Sequence, residues 1–343
     1  MRWWVAGLVL VPVAVVLEVL HAPPLAVLLT SAAALVPLAA LLGRATEEVA
    51  ARTGPFIGGL LNSTLGNAAE LIIALAALRA GLHELVKASI SGSILGNLLL
   101  ILGASLLVGG LRHGLQQFDA HLAGISATMM TLAVVLLLVP GLFTLGPTPV
   151  HGAAVEWMSI GLAVVLAVIY FLYLVYTLRM GGPVTEHAHA TWSLPRAIAV
   201  LVGSTLGVVV MSEVLVGAVE PVVEATGVSE FFLGVVLVPL VGNVAEHFVA
   251  VQVAGRNQMD LSLGIAYGSS LQIALVVTPV LIFASLATSQ PMSLVFNVYE
   301  LVALLGAALV SSLIAVDGRS HWLEGAMPLA VYAGLAVGFF FLP

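Results

Sequence analysis

The chain has 343 residues, 61% of them hydrophobic and 8% charged, with a net charge of -7 and no cysteine. Soluble domains carry about 25% charged residues, and single cores stop growing near roughly 250–300 residues, so this much apolar surface has no soluble solution. The absence of cysteine excludes disulfides, a thiolate nucleophile and Cys-ligated metal, and the shortage of Lys and Arg leaves no nucleic-acid footprint.

Apolar blocks about as long as a bilayer-crossing helix, roughly 20 residues, fall at 3–20, 24–43, 55–80, 86–110, 119–140, 151–177, 195–219, 228–254, 260–287, 292–315 and 321–342. They predict an all-α polytopic membrane protein with eleven transmembrane helices. The first block follows a lone Arg as a signal sequence would, but its run is longer than a signal core and "HAPPL" lacks a small-residue cleavage site, so it is read as a helix. Cytoplasmic loops carry an excess of Lys and Arg. Arg2, Arg44, Arg52, Arg112, Arg179, Arg196, Arg256 and Arg319 lie at the N-terminus or in even-numbered loops, against Arg79 and Lys87 on the other side. This asymmetry places the N-terminus in the cytoplasm and the C-terminus outside, and the low-Lys, Ala- and Val-rich composition suggests a prokaryotic plasma membrane.

Shifting the chain by 176 residues lays "PFIGGLLNSTLGNAAELIIALAAL" on "FFLGVVLVPLVGNVAEHFVAVQVA", and without a gap brings "ISGSILGNLLL" onto "AYGSSLQIALV". Gly66/Gly242, Asn67/Asn243, Glu70/Glu246, Gly92/Gly268 and Ser93/Ser269 coincide, which an Ala- and Leu-rich composition does not explain. The shift spans five helices. An odd number threads the second copy through the membrane in the opposite sense, the inverted-topology repeat found in secondary transporters. The expected division is a first helix at 1–21, a five-helix repeat at 22–177, a cytoplasmic linker at 178–194 and a second repeat at 195–343.

An ionised Glu at mid-membrane costs at least ~2.5–3.5 kcal/mol on insertion scales. Glu70 and Glu246, brought together by the repeat, would also repel each other, so the pair needs either protons or a cation of charge +2. Calcium suits the surroundings, because it takes 6–8 oxygen ligands from carboxylates, amides and backbone carbonyls at flexible geometry. Gly66-Asn67 and Gly242-Asn243 precede each Glu within a helical turn, where Gly can let a helix open and expose a carbonyl. Ser93, Asn97, Ser269 and Gln272 add neutral oxygen donors. For each Asn alone, close packing and interhelical hydrogen bonding explain the residue as well. His247, beside Glu246, points about 100° away from it and fits packing or support of the ligands better than ligation. With no Cys nearby, a soft zinc or copper site is disfavoured. Glu18 and Glu156 also fall near the spans, Glu156 close to an interface, while Glu213 and Glu300 read as deeper acids that relay protons or bond between helices.

These stretches, with "ATEEVA", "LVKASISGSILGNLLLILG" and "DLSLGIAYGSSLQIALVVTP", closely resemble the two signature repeats of the calcium/proton exchanger family within the calcium/cation antiporter superfamily. The resemblance covers roughly 44–110 and 210–285. It implies an antiporter of calcium and protons needing no cofactor, with Glu70 and Glu246 as the shared cation and proton carboxylates. By the same resemblance the Gly-Asn pairs, Ser93, Asn97, Ser269 and Gln272 line the site. Glu48 and Glu224 match acidic positions that, in the family, end the gating helices and couple them to proton access; from the sequence alone a solvated carboxylate explains both.

Sodium/calcium exchangers share the architecture but typically carry Thr or Ser four residues before the Glu, where this chain has Gly66 and Gly242. That difference favours proton coupling. Sodium-coupled calcium exchange, or antiport of manganese or another divalent cation, is the alternative. An intramembrane enzyme is disfavoured because "HELVK" at 83–87 lacks a second metal-binding His. The linker offers only Glu186 as an acid, beside His187 and His189, a pair that could sense pH or simply form a solvated loop.

Overall fold

A computed structural model describes residues 6–53, 58, 61, 65–146, 148–180 and 190–342. Among them, eight helices are long and apolar enough to cross a bilayer: Pro24–Ala50, His83–His113, Ala120–Leu145, Ala153–Thr177, Leu194–Thr226, Met259–Ser285, Val298–Ala315 and Trp322–Phe340. A ninth candidate is broken, with Glu230–Gly242 and Val244–Ala254 meeting at a 63° bend. The two remaining apolar blocks hold the shorter helices Leu10–Val19 and Ala68–Arg79. Residues 1–5 and most of 54–64, which would extend them, lie outside the described residues, as do Glu186, His187 and His189 of the linker. Described strand structure is confined to the antiparallel pairing of Gln116–Gln117 with Arg319–Ser320.

Helix ends follow local chemistry. Pro24 opens its helix at a position that needs no N–H. The Asp119 carboxylate caps Ala120–Leu145 by accepting from the N–H groups of His121 at 2.8 Å and Leu122 at 3.1 Å. Asn297 with Glu300, and His321 with Glu324, form capping boxes. Val219–Thr226 ends on Gly227, whose φ of 73° only glycine adopts at little cost.

The chain divides into two compact units that interleave its halves. The first comprises residues 1–89, 178–245 and 342–343, the second 90–177 and 246–341. In the first, Pro24–Ala50 packs along Leu194–Gly217, Leu10–Val19 lies on Pro24–Ala50, and Ala68–Arg79 contacts Leu194–Gly217. Gly207 lets the central pair close, because a Cβ there would stand 2.7 Å from Leu38 Cδ2.

In the second unit, Met259–Gln272 lies against Ala120–Leu145, Leu102–His113 and the segment Gly96–Ile101, Val298–Ala315 packs on Ala120–Leu145, and Trp322–Phe340 packs on Leu102–His113. This last contact runs through small residues, as membrane helices without a hydrophobic drive between them require. A Cβ on Gly103 would lie 2.9 Å from the Gly325 carbonyl oxygen, and one on Gly325 would overlap the Leu107 backbone. Trp157, Val164, Val168, Phe171 and Leu172 leave an exposed apolar face on Ala153–Met180, suited to lipid.

Gly325→Ala should therefore destabilise the purified protein in detergent by about 1–3 kcal/mol, since backbone cannot swing aside as a side chain can. Gly264→Ala, whose Cβ would meet nothing within 4 Å, should leave the melting temperature unchanged in the same assay.

Candidate functional site

The first Gly-Asn motif stands at the start of the helix that carries its Glu, and the second breaks a helix just before its Glu. Asn67, with φ -99° and ψ 30°, precedes the helix Ala68–Arg79. Asn243, with φ -99° and ψ 3°, separates Val238–Gly242 from Val244–Ala254. Glu70 and Glu246 are thus the third residues of their helices. That position lies in the first helical turn, at the positive end of the helix dipole.

In the first unit, Asn67 is 1% exposed and Glu70 8%. Gly242 makes the seat for Glu70: a Cβ on it would stand 2.9 Å from Glu70 Cγ and 3.2 Å from both Cδ and Oε1. The second Gly-Asn motif therefore shapes the surroundings of the first Glu. Asn243, in the same unit, is as deeply buried as Asn67. Gly66 lies in the turn that leads into the Glu70 helix.

In the second unit, Glu246 is half-buried, and Ser93, Asn97, Ser269 and His247 are buried, with Gln272 half-buried. His247 Nε2 lies 3.1 Å from Asn97 Oδ1. Asn97 Nδ2 is buried with no partner among the described residues. An imidazole N–H donating to the carbonyl oxygen uses one of its two lone pairs, and turning the amide over would instead offer its nitrogen to an imidazole acceptor. His247, which the sequence assigned to packing or ligand support, thus contacts a residue of the candidate donor set.

Two π-helical turns add to this arrangement. One, Gly96–Ile101, starts a residue before Asn97, and the other, Ile273–Val277, starts immediately after Gln272. Under the 176-residue shift their starts differ by one residue. Such turns re-aim the side chains around them and are frequent at functional sites.

Glu48 and Glu224 part company. Glu224 is exposed on Val219–Thr226. Glu48 is 7% exposed, and its Oε2 accepts the backbone N–H groups of Thr191 at 2.8 Å and Trp192 at 2.9 Å. The Thr191 hydroxyl donates to Oε1, and Arg52 Nη1 lies 3.5 Å from Oε2. Arg52 also donates to the carbonyls of Glu48 and Trp192. Above this, the guanidinium groups of Arg44 and Arg196 each stand 5.0 Å from the Trp192 ring centroid, a cation-π arrangement. The ring packs with Ala45 and Ala197. Glu48 is therefore no solvated carboxylate: it is bonded to the end of the linker, just before Leu194–Gly217. The i,i+4 spacing of Glu48 and Arg52 was readable in the sequence; the partner 144 residues on was not.

Glu213 departs from the expectation of a deep acid. It is 49% exposed and pairs with Arg79 at 3.1 Å, because the helix that carries it turns this face outward. Glu18 and Glu156 are exposed. Glu300 is deep, at 1% exposure.

The sodium/calcium exchanger protein family matches residues 23–179 and 196–341. A Ca(2+)/H(+) antiporter of Synechocystis sp. is 45% identical over 332 residues, covering 90% of this chain and 89% of the relative. The Ca(2+)/H(+) antiporter ChaA of Bacillus subtilis is 40% identical, with 97% of each covered. Among solved structures, a crystal structure of the selenium-substituted Ca2+/H+ antiporter protein YfkE aligns at a TM-score of 0.88 and 39% identity over 100% of both chains. The chain belongs to the sodium/calcium exchanger protein family.

Proposed function

We propose that this chain is a calcium/proton antiporter that expels calcium from the cytoplasm by alternating access, driven by an inward proton gradient. Glu70 and Glu246 bind either the cation or protons. The observation that carries this reading is the buried Glu70, held in the first turn of its helix and seated against Gly242. The names of the Synechocystis and Bacillus subtilis relatives support the same cargo.

The seat also bears on the coupling ion. A hydroxyl-bearing side chain at position 242 would occupy the space of the Glu70 carboxylate. The glycine therefore favours a carboxylate that takes protons over a hydroxyl that serves sodium. Asn67, Asn243, Ser93, Asn97, Ser269 and Gln272 supply neutral oxygens, and carbonyls near Gly66 and Gly242 complete the donor set for a hard cation. Loaded with calcium or with protons, the carboxylates lose most of their desolvation penalty; ionised and empty, they do not. Movement between states without cargo is thereby suppressed. Calcium and protons are cargo, and no cofactor or catalysed reaction enters.

We further propose eleven crossings, one plus two inverted repeats of five, with the N-terminus in the cytoplasm of a prokaryotic plasma membrane. The matching backbone of Asn67 and Asn243, the near-equivalent π turns and the two separate family matches support the repeat. Pro24–Ala50 and Leu194–Gly217 pack together, which suits joint movement as gating helices. Glu48 ties the end of one to the start of the other, and Glu224 lies exposed at the equivalent position of the second half.

In proteoliposomes with an imposed pH gradient, wild-type protein should carry calcium, and Glu70→Gln or Glu246→Gln should reduce the flux to background while remaining folded. Full activity in either variant would remove that residue from the site. Gly242→Ala should raise the calcium KM by on the order of tenfold, about 1.4 kcal/mol, by displacing the Glu70 carboxylate; an unchanged KM would contradict the seat. Glu48→Gln should lower the maximal rate and leave the calcium KM in place, as expected of a group that acts on movement rather than on binding.

A further inference from the structure

Glu300 is the third residue of Val298–Ala315, and its capping box accounts for one of its oxygens: Oε2 accepts the Asn297 N–H at 2.9 Å, and Asn297 Oδ1 accepts the Glu300 N–H at 2.9 Å. An ordinary capping Glu stands at a solvated helix start. This one is 1% exposed, and its Oε1 accepts the Ser91 hydroxyl at 2.6 Å from another helix of the same unit, where Ser91 is itself fully buried. A cap alone does not call for that second bond. A buried acid in a membrane span also needs a reason to be there.

Ser91 lies on His83–Leu95, two residues before Ser93. At 100° per residue those two side chains point about 200° apart, on opposite sides of the helix. Asn97 comes four residues after Ser93, just past the point where the helix widens into its π turn. The Glu300 bond therefore grips the back of a helix whose front carries Ser93 and Asn97. The gripped point is one turn before Gly96, where a π segment has looser, readjustable hydrogen bonding.

We infer that Glu300 is a positioning residue, whose carboxylate, through the Ser91 hydroxyl, sets the rotation of the segment that presents Ser93 and Asn97 to the calcium ion. The inference rests on the proposed role of Ser93 and Asn97 as cation-lining donors. It gives Glu300 a part in calcium affinity with no contact to the ion. A 2.6 Å bond between two buried side chains is short and directional enough for the task, and burial leaves water little room to replace it.

The test separates the two bonds that Glu300 makes. Ser91→Ala removes the interhelical bond and keeps the capping box; Asn297→Ala removes the Asn297 Oδ1 half of the box and keeps both the interhelical bond and the bond from the Asn297 backbone N–H to Oε2. In calcium transport by reconstituted full-length protein, Ser91→Ala should raise the calcium KM by about tenfold, the scale of one lost hydrogen bond, with the maximal rate nearly unchanged. Asn297→Ala should lower the melting temperature and leave the KM at the wild-type value. Glu300→Gln, which keeps the volume and one carbonyl oxygen for the Ser91 hydroxyl, should recover most of the affinity that Glu300→Ala loses, and it provides the KM comparison should Ser91→Ala not fold.

A wild-type KM in Ser91→Ala, or equal KM values in Glu300→Gln and Glu300→Ala, would overturn the inference. So would a KM increase in Asn297→Ala as large as that in Ser91→Ala, because the cap would then suffice. Ser93→Ala and Asn97→Ala serve as the separate control. If they leave the KM unchanged, the assignment of the cation-lining donors fails; if they raise it while Ser91→Ala does not, only the role of Glu300 fails.

Discussion

A carboxylate inside an apolar span must be neutralised before it can change compartments, and in the proposed mechanism Glu70 and Glu246 impose that requirement on their surroundings. Insertion scales put the penalty for an ionised acid at mid-membrane at a few kcal/mol, ~2.5–3.5. Packing cannot remove such a cost, so it has to be met by an ion, by a proton or by oriented backbone. Oriented backbone is at hand: both acids occupy the first turn after an Asn with non-helical dihedrals, at the positive end of a helix dipole. In the proposed mechanism a cation or protons complete the neutralisation, and the choice between them makes exchange possible.

The surroundings keep these groups in place with few polar atoms. Gly242 leaves room for the Glu70 side chain, His247 fixes the amide of Asn97, and Glu300 holds Ser91 on the reverse of the helix that carries Ser93. Each contact leaves a buried polar group bonded or a small residue where bulk would intrude, which is how membrane helices pack without a hydrophobic drive between them. Farther away, Glu48 satisfies two backbone N–H groups of the second half and is flanked by Arg52, while Trp192 lies between Arg44 and Arg196. That assembly joins the ends of the two helices that pack most extensively in the first unit.

Much of this was legible in the chain because it follows from local composition and from repetition. Each of the eleven apolar blocks contains a described helix, and eight of these helices are long and apolar enough to cross a bilayer. The Gly-Asn pairs mark a helix start in the first copy and a helix break in the second, and the 176-residue shift pairs Glu70 with Glu246. Partners distant in the chain were not legible. Nothing in the pattern indicates that Glu48 is buried under Thr191 and Trp192, that His247 meets Asn97, or that Glu213 turns outward to Arg79. Burial of these side chains depends on which helices become neighbours, and periodicity does not encode that. The interleaving of the halves into two units belongs to the same class: repeats mark descent along the chain, whereas compactness follows from which faces pack.

The central claim is that calcium and protons compete for the same carboxylates and move in opposite directions. It is tested most directly by loading sodium-free proteoliposomes with calcium and a pH-sensitive dye, diluting them into calcium-free buffer and reading the internal pH. Calcium efflux should acidify the interior in wild-type protein, and neither efflux nor acidification should occur in Glu70→Gln. Calcium efflux with no change in internal pH, or efflux that starts only when external sodium is added, would contradict the account.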